Sequence, residues 1–170
     1  MVLDPGAELV DVVDEDDDVV ATVTRAEMRA RRLRHRCTFV VVRNGAGQVL
    51  VHRRSDTKDM WPGRWDLACG GVVGTGEEWG HAAHRELAEE VGITGAELVP
   101  LGGGRYEDDD VSEVARMWAT IWDGPVSFPD GEVAEALFVD LDELRLRLDR
   151  DRFVPDSVAL LAARVLGEGR

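Results

Sequence analysis

The chain has 170 residues, 44% of them apolar, which is enough for one domain with a sizeable core. Its 34 acidic residues outnumber 20 basic ones, for a formal net charge of -14, and a field of that sign repels nucleic-acid backbones and anionic membrane surfaces. The expected partner is therefore a small molecule, with no nucleic acid and no membrane, and a polyanionic ligand would need a local basic patch or a bridging metal.

Leu9 to Val13 and Val19 to Thr24 flank an acidic turn in the manner of a hairpin. Thr24 and Glu27 form a capping box that opens a short basic helix through Arg32. Cys37 to Arg43 and Gln48 to Arg54 are β-branched runs joined by NGAG, a strong hairpin signal. A short strand is expected over Trp65 to Gly71, then a helix that Thr75 and Glu78 open as a capping box and Gly92 ends. Further strands fall near Glu97 to Leu101, within Glu113 to Trp122 and over Ala136 to Asp140. Asp140 with Glu143 caps a helix through Leu148, and Asp156 caps a last one through Val165. Strands in hairpins, without strict β-α-β alternation, predict an α/β protein with a mixed β-sheet and helices on its faces. Nothing divides the chain, so a single domain is expected over 1–170, with the N-terminal hairpin and short helix at about 9–32 and the core at about 33–170.

The 2 cysteines, Cys37 and Cys69, lack CxxC spacing and suit a reducing compartment as buried small hydrophobes. The opening MVLDPGAELV has no basic n-region followed by an apolar run, and no later stretch is apolar over the roughly 20 residues that span a bilayer. A cytoplasmic location follows as the expectation.

The central helix carries the chemistry. At about 100° per residue Glu86, Glu89 and Glu90 share one face, while Ala83, Leu87 and Val91 form a neighbouring apolar stripe. Arg85, four residues before Glu89, can pair with it. Three carboxylates repel one another and oppose the negative helix end unless a cation sits among them. A hard divalent ion, Mg²⁺ or Mn²⁺, answers that: it takes one or two carboxylates and leaves positions for phosphate oxygens. A solvated acidic face is the alternative for an isolated ExxEE.

The cluster is not isolated. Gly71, Glu77, Arg85, Glu86, Leu87, Glu89, Glu90, Gly92 and Ile93 fall at the spacing G-x5-E-x7-R-E-U-x-E-E-x-G-U, where U is bulky and apolar, and so resemble the Nudix box at every specified position. The resemblance implies an α/β/α sandwich around a mixed sheet, with the box as a loop-helix-loop, and hydrolysis of a nucleoside diphosphate linked to another moiety. It implies Glu86, Glu89 and Glu90 as metal ligands, a further ligand from the Gly71 carbonyl, and Arg85 with Glu77 and Gly92 as the frame that orients them. The catalytic group is then Glu86, Glu89 and Arg85. The base that takes the water proton stays open among Glu86, Glu89, Glu113, Glu132 and Glu135.

Leu33 to Gly71 also resembles the region before the box in a subgroup close to type 1 isopentenyl-diphosphate isomerase. This implies Arg54 and Lys58 as contacts to the diphosphate. Cys69, with a one-residue gap, falls at the isomerase's catalytic cysteine, and His35 matches one of its metal-site histidines. Met28 and Gly71 stand where two further metal histidines would be, and neither can replace an imidazole. A hydrolase is therefore favoured over isomerase-like proton transfer and over a non-catalytic ligand sensor. Any of Trp61, Trp65, Trp79, Trp118 and Trp122 could stack on a base, although such aromatics are more often core. His81 and His84 read as surface or packing residues. Specificity is expected in Arg105 to Ser112 and Asp123 to Gly131, and a homodimer, common in similar proteins, is compatible with the sequence.

Overall fold

The computed structural model describes residues 4–168; Met1 to Leu3 of the opening segment and the last two residues of the expected 1–170 domain lie outside the described residues. After a short 3₁₀ turn at Pro5–Ala7, β1 (Leu9–Val13) and β2 (Val19–Thr24) form the expected hairpin. Its acidic turn is held locally: the Asp14 carboxylate accepts the backbone N–H groups of Asp16 and Asp18 at 2.9 and 3.1 Å, the bonding that makes Asp a turn residue. Thr24 Oγ1 accepts from Glu27 N at 3.2 Å and starts α1 (Arg25–Ala30).

The axis of the fold is β3 (His35–Arg43). It runs antiparallel to β6 (Cys69–Val72) and parallel to β8 (Ser112–Ile121), with His35 opposite Glu113 and Arg43 opposite Ile121. Antiparallel pairings add β4 (Val49–Arg54), β5 (Trp65–Asp66), β7 (Val99–Glu107) and β9 (Val133–Val139), giving one mixed sheet. Every residue from Cys37 to Val42 is buried, because helices cover both faces and a strand covered twice is apolar without alternation. Cys37, Phe39 and Val41 pack with Met28 of α1, Leu144 of α3 (Leu141–Arg150) and Leu161 of α4 (Pro155–Leu166). Val40 and Val42 pack on the other face with Ala83, Leu87 and Val91 of α2 (Trp79–Val91). This is the predicted α/β/α sandwich. The apolar stripe of α2 is fully buried, and truncating a side chain such as Leu87 there costs about 2–5 kcal/mol.

Several boundaries differ from the sequence reading, each for a physical reason. Thr75 does not cap α2: its N–H donates to Leu9 O at 3.1 Å, and the helix begins later, with Glu78 at the N-cap and no side-chain bond there. Gly92 does end it, at φ 69°, where L residues are strained. Asp156 does not cap α4 either. Val154 holds the N-cap and Pro155 the first helical position, so Asp156 lies inside the first turn, buried. The expected strand Trp65 to Gly71 is two strands, β5 and β6, separated at Leu67 and Ala68 where the chain changes partner from β4 to β3. The strand expected at Glu97 to Leu101 starts later and runs on to Glu107, because Gly102 to Gly104 continue the ladder with β8 through a bulge. The segment Arg105 to Ser112 is consequently a hairpin end rather than a long loop. Its turn is held by Asp108, whose Oδ1 accepts from Asp110 N and Val111 N at 2.8 Å each.

No described helix is long and apolar enough to cross a membrane.

Candidate active site

A cavity of about 290 Å³ lies against one wall of α2 and receives residues from α1, β3, β6, β8 and the segment after β4. The box supplies that wall. Glu86 and Glu90 are buried, whereas the Glu89 side chain is 50% exposed at the mouth. The i, i+3, i+4 spacing gathers all three on one side of the helix, and packing then separates them by depth.

Arg85 is the organiser. Its guanidinium takes Glu77 in a two-point grip, Nε to Oε1 and Nη2 to Oε2 at 2.9 Å each. Nη2 also donates to Val72 O at 3.1 Å, while Nη1 donates to Glu86 Oε1 at 2.7 Å and Glu89 Oε2 at 3.2 Å. Glu77 Oε2 accepts in turn from Gly74 N at 2.9 Å. The planar fork thus ties the loop before α2, strand β6 and two box carboxylates into one frame, a geometry that lysine's point charge cannot reproduce. The same bonds hold Glu77 below the usual carboxylate range, chiefly through Arg85.

The buried acids behave in the opposite sense. Burial pushes Glu86 up to about 6 against the pull of Arg85, and Glu90 up to about 8 against the pull of Lys58. Glu90 Oε2 accepts from Gly70 N at 3.1 Å, and its Oε1 lies 3.6 Å from Lys58 Nζ, which also bonds Glu132. Gly71 sits directly over this group. A Cβ built there would fall 2.6 Å from Glu86 Oε1, so only glycine lets the carboxylate approach the strand so closely. Two desolvated carboxylates and a third at the mouth form an all-oxygen donor set, starved of counter-charge by burial, and this fits a hard divalent cation.

Arg54 and Lys58 both line the cavity, each already held by acids and carbonyls. Arg54 donates from Nε to Met60 O at 3.1 Å and has Nη1 3.8 Å from Asp66. Of the proposed bases, Glu113 and Glu132 line the cavity; Glu135 is on the surface with Arg53 at 2.7 Å. Cys69 is buried in the α2-side core, and burial pushes its thiol up, away from the thiolate that a nucleophile needs.

Trp61 lines the cavity. The other four tryptophans are engaged elsewhere: Trp79 is buried with Arg116 over its ring at 4.7 Å, Trp65 carries Arg147 at 4.9 Å, and the indole N–H groups of Trp118 and Trp122 donate to Thr38 and to Pro125 O at 3.0 Å each. His81 and His84 are exposed on α2. Val111 brings the β7–β8 turn to the cavity, whereas Asp123 to Gly131 do not line it.

The sequence reading missed Asp66, Asp156, Arg25, Arg29 and Asp59, all of which line the cavity. The first two are buried acids on short or terminal elements, where no periodicity marks a residue as inward-facing. Arg25 and Arg29 are four apart on α1, in a helix that the sequence marks only as short and basic.

A mixed sheet with helices on both faces and an arginine-framed acidic helix over a cavity define a Nudix-type fold. The NUDIX domain model matches residues 33–159. The Salmonella typhi uncharacterized Nudix hydrolase YfcD is 40% identical over 155 residues, covering 91% of this chain and 83% of that protein. The Streptomyces coelicolor uncharacterized Nudix hydrolase SCO1686 is 40% identical over 159 residues, covering 91% and 87%. The crystal structure of DR0079 from Deinococcus radiodurans superposes with a TM-score of 0.79 at 25% identity, over 96% of this chain and all of that one. The chain belongs to the Nudix hydrolase family.

Proposed function

We propose that the protein is a Mg²⁺-dependent pyrophosphohydrolase cleaving the diphosphate bond of a nucleoside diphosphate derivative or a related small phosphorylated metabolite. The observation that carries this reading is the gathering of Glu86, Glu89 and Glu90 on one side of α2, with Glu86 and Glu89 lining a cavity that Arg54 and Lys58 also line, and Glu90 buried beside Lys58. Glu86, Glu89 and Glu90 would hold the ion, Mg²⁺ or Mn²⁺, close to Gly71. When bound, the ion draws charge from the phosphoryl oxygens and makes a coordinated water more acidic.

The chain's own residues do the rest. Arg85 fixes the carboxylates of Glu86 and Glu89 through its bonds to both, and Glu77 fixes Arg85. Lys58 and Arg54 place positive charge against the diphosphate, which the chain's net charge of -14 would otherwise repel. A proton leaving the attacking water passes to a carboxylate of the cavity. In the metal-free cavity burial raises Glu86 to about 6 and Glu113 to about 7, and these two are the proposed acceptors. Isomerase-like transfer at Cys69 has less support, because burial disfavours its thiolate.

The test is phosphorus NMR over nucleoside diphosphate derivatives and isoprenoid diphosphates, with and without Mg²⁺. Metal-dependent cleavage of one member supports the reading and gives the substrate class. Conversion of isopentenyl diphosphate to its allylic isomer without cleavage of any member would overturn it.

A further inference from the structure

We propose that His35, Cys37 and Glu113 form a second metal site, separate from the box, which takes a borderline divalent transition ion such as Zn²⁺ or Co²⁺ through imidazole Nε2, thiolate Sγ and a carboxylate oxygen. The placement comes from the sheet. His35 and Cys37, two apart on β3, project to the same face, and the parallel register sets Glu113 of β8 opposite His35. All three are buried, and one ligand atom from each lies within 4.8 Å of the other two. Ligands around a tetrahedral ion at about 2.0–2.3 Å stand roughly 3.3–3.8 Å apart, so closure needs side-chain shifts on the order of 1 Å.

The imidazole is already arranged for such a role. Its Nδ1 lies 2.9 Å from Leu33 O; a carbonyl only accepts, so Nδ1 carries the hydrogen and Nε2 presents a bare lone pair. A backbone carbonyl fixing the tautomer of a histidine ligand is the usual outer-sphere arrangement at metal centres. Among the described residues neither His35 Nε2 nor Glu113 Oε1 has a hydrogen-bond partner, although both atoms are buried. Buried polar atoms are nearly always satisfied, and two orphans in one cluster with a thiol call for a shared partner. An ion bonded to both removes both deficits at once, while the Cys37 S–H proton leaves to solvent as the sulfur–metal bond forms.

The donor types separate this site from the box. Imidazole and thiolate select zinc-like ions, whereas the all-oxygen group of Glu86, Glu89 and Glu90 suits magnesium. Cys37 and Glu113 line the cavity, whereas His35 does not. Three protein ligands therefore leave a fourth position facing the cavity, the pattern of zinc sites that bind water or a substrate oxygen. Cys69, the other cysteine, packs in the opposite, α2-side cluster and belongs to no such group among the described residues.

The experiment titrates the full chain, stripped of metal by chelation, with Co²⁺ and follows the near-ultraviolet thiolate-to-Co²⁺ charge-transfer band. Wild type and Glu90→Gln should show the band at one equivalent and lose it to competing Zn²⁺. Cys37→Ala should lack it, and Glu113→Gln should bind at least about 10-fold more weakly. If Cys37→Ala does not fold, judged by circular dichroism, His35→Gln takes its place and should show the same weakening. A wild type with no band overturns the proposal. So does a band that survives Cys37→Ala but disappears in Cys69→Ala, or one that disappears in Glu90→Gln.

Discussion

Glu90→Gln separates a metal-binding role from a structural one. Glu90 is 1% exposed, with Gly70 N at 3.1 Å from Oε2 and Lys58 Nζ at 3.6 Å from Oε1. Glutamine keeps the volume and can keep the bond from Gly70 through its carbonyl oxygen. Lys58 keeps its bond to Glu132. Since burial pushes Glu90 up to about 8, the metal-free site already favours the neutral acid near pH 7, and replacing it by a neutral amide should cost at most about 1 kcal/mol. For a chain of this length that is a fall in Tm of about 2–4 °C. Turnover should fall much further. Loss of an outer-sphere partner at a metal centre typically costs 10–100-fold, so loss of a ligand should cost at least about 100-fold in kcat/KM. Steady-state phosphate release gives the activity, calorimetric Mn²⁺ titration the metal affinity, and a thermal melt the stability. A variant with activity within about threefold of wild type and unchanged Mn²⁺ affinity would refute the placement of Glu90 in the metal seat. One that loses activity only along with about 10 °C or more of Tm would assign it to the fold instead.

Arg85→Lys loses the two-point grip on Glu77 and the bond to Val72 O, and should lower kcat/KM about 10–100-fold by loosening Glu86 and Glu89; kinetics beside a melt will show whether activity falls further than stability. Gly71→Ala puts a methyl carbon 2.6 Å from Glu86 Oε1, so it should weaken Mn²⁺ binding in calorimetry at least about 10-fold while circular dichroism stays native. The metal-free protein should melt at lower temperature as pH rises from 6.5 to 8. Glu90, raised to about 8, and Glu113, raised to about 7, hold protons that the unfolded chain releases near its ordinary 4.5, so their contribution is complete below that value and lost through the folded ones. His35 and His52, lowered to about 4 by burial, act with the opposite sign, but only below their ordinary 6.5. Mg²⁺ should therefore raise Tm more at pH 8 than at pH 6.5, and an equal rise at both would refute this account of Glu90.

Much of the fold could be read locally. The hairpin at Leu9 to Thr24, the Thr24 cap, the NGAG turn and the Gly92 stop each depend on residues a few positions apart, and each is present. Failures came where a distant strand competed for the same backbone. Thr75 gave its N–H to Leu9, and the glycines at 102–104 entered a ladder because β8 lay beside them.

The box determined by itself that Glu86, Glu89, Glu90 and Arg85 would share one region of a helix, because helical spacing is set by the backbone alone. It could not determine depth: two of the three carboxylates are buried and one stands at the mouth, and only the packing of α2 against β6 decides which. Nor could the sequence join His35 to Glu113. They are far apart along the chain and meet only because β3 and β8 pair in parallel at that register, and register is a property of the whole sheet, fixed by which faces the helices bury.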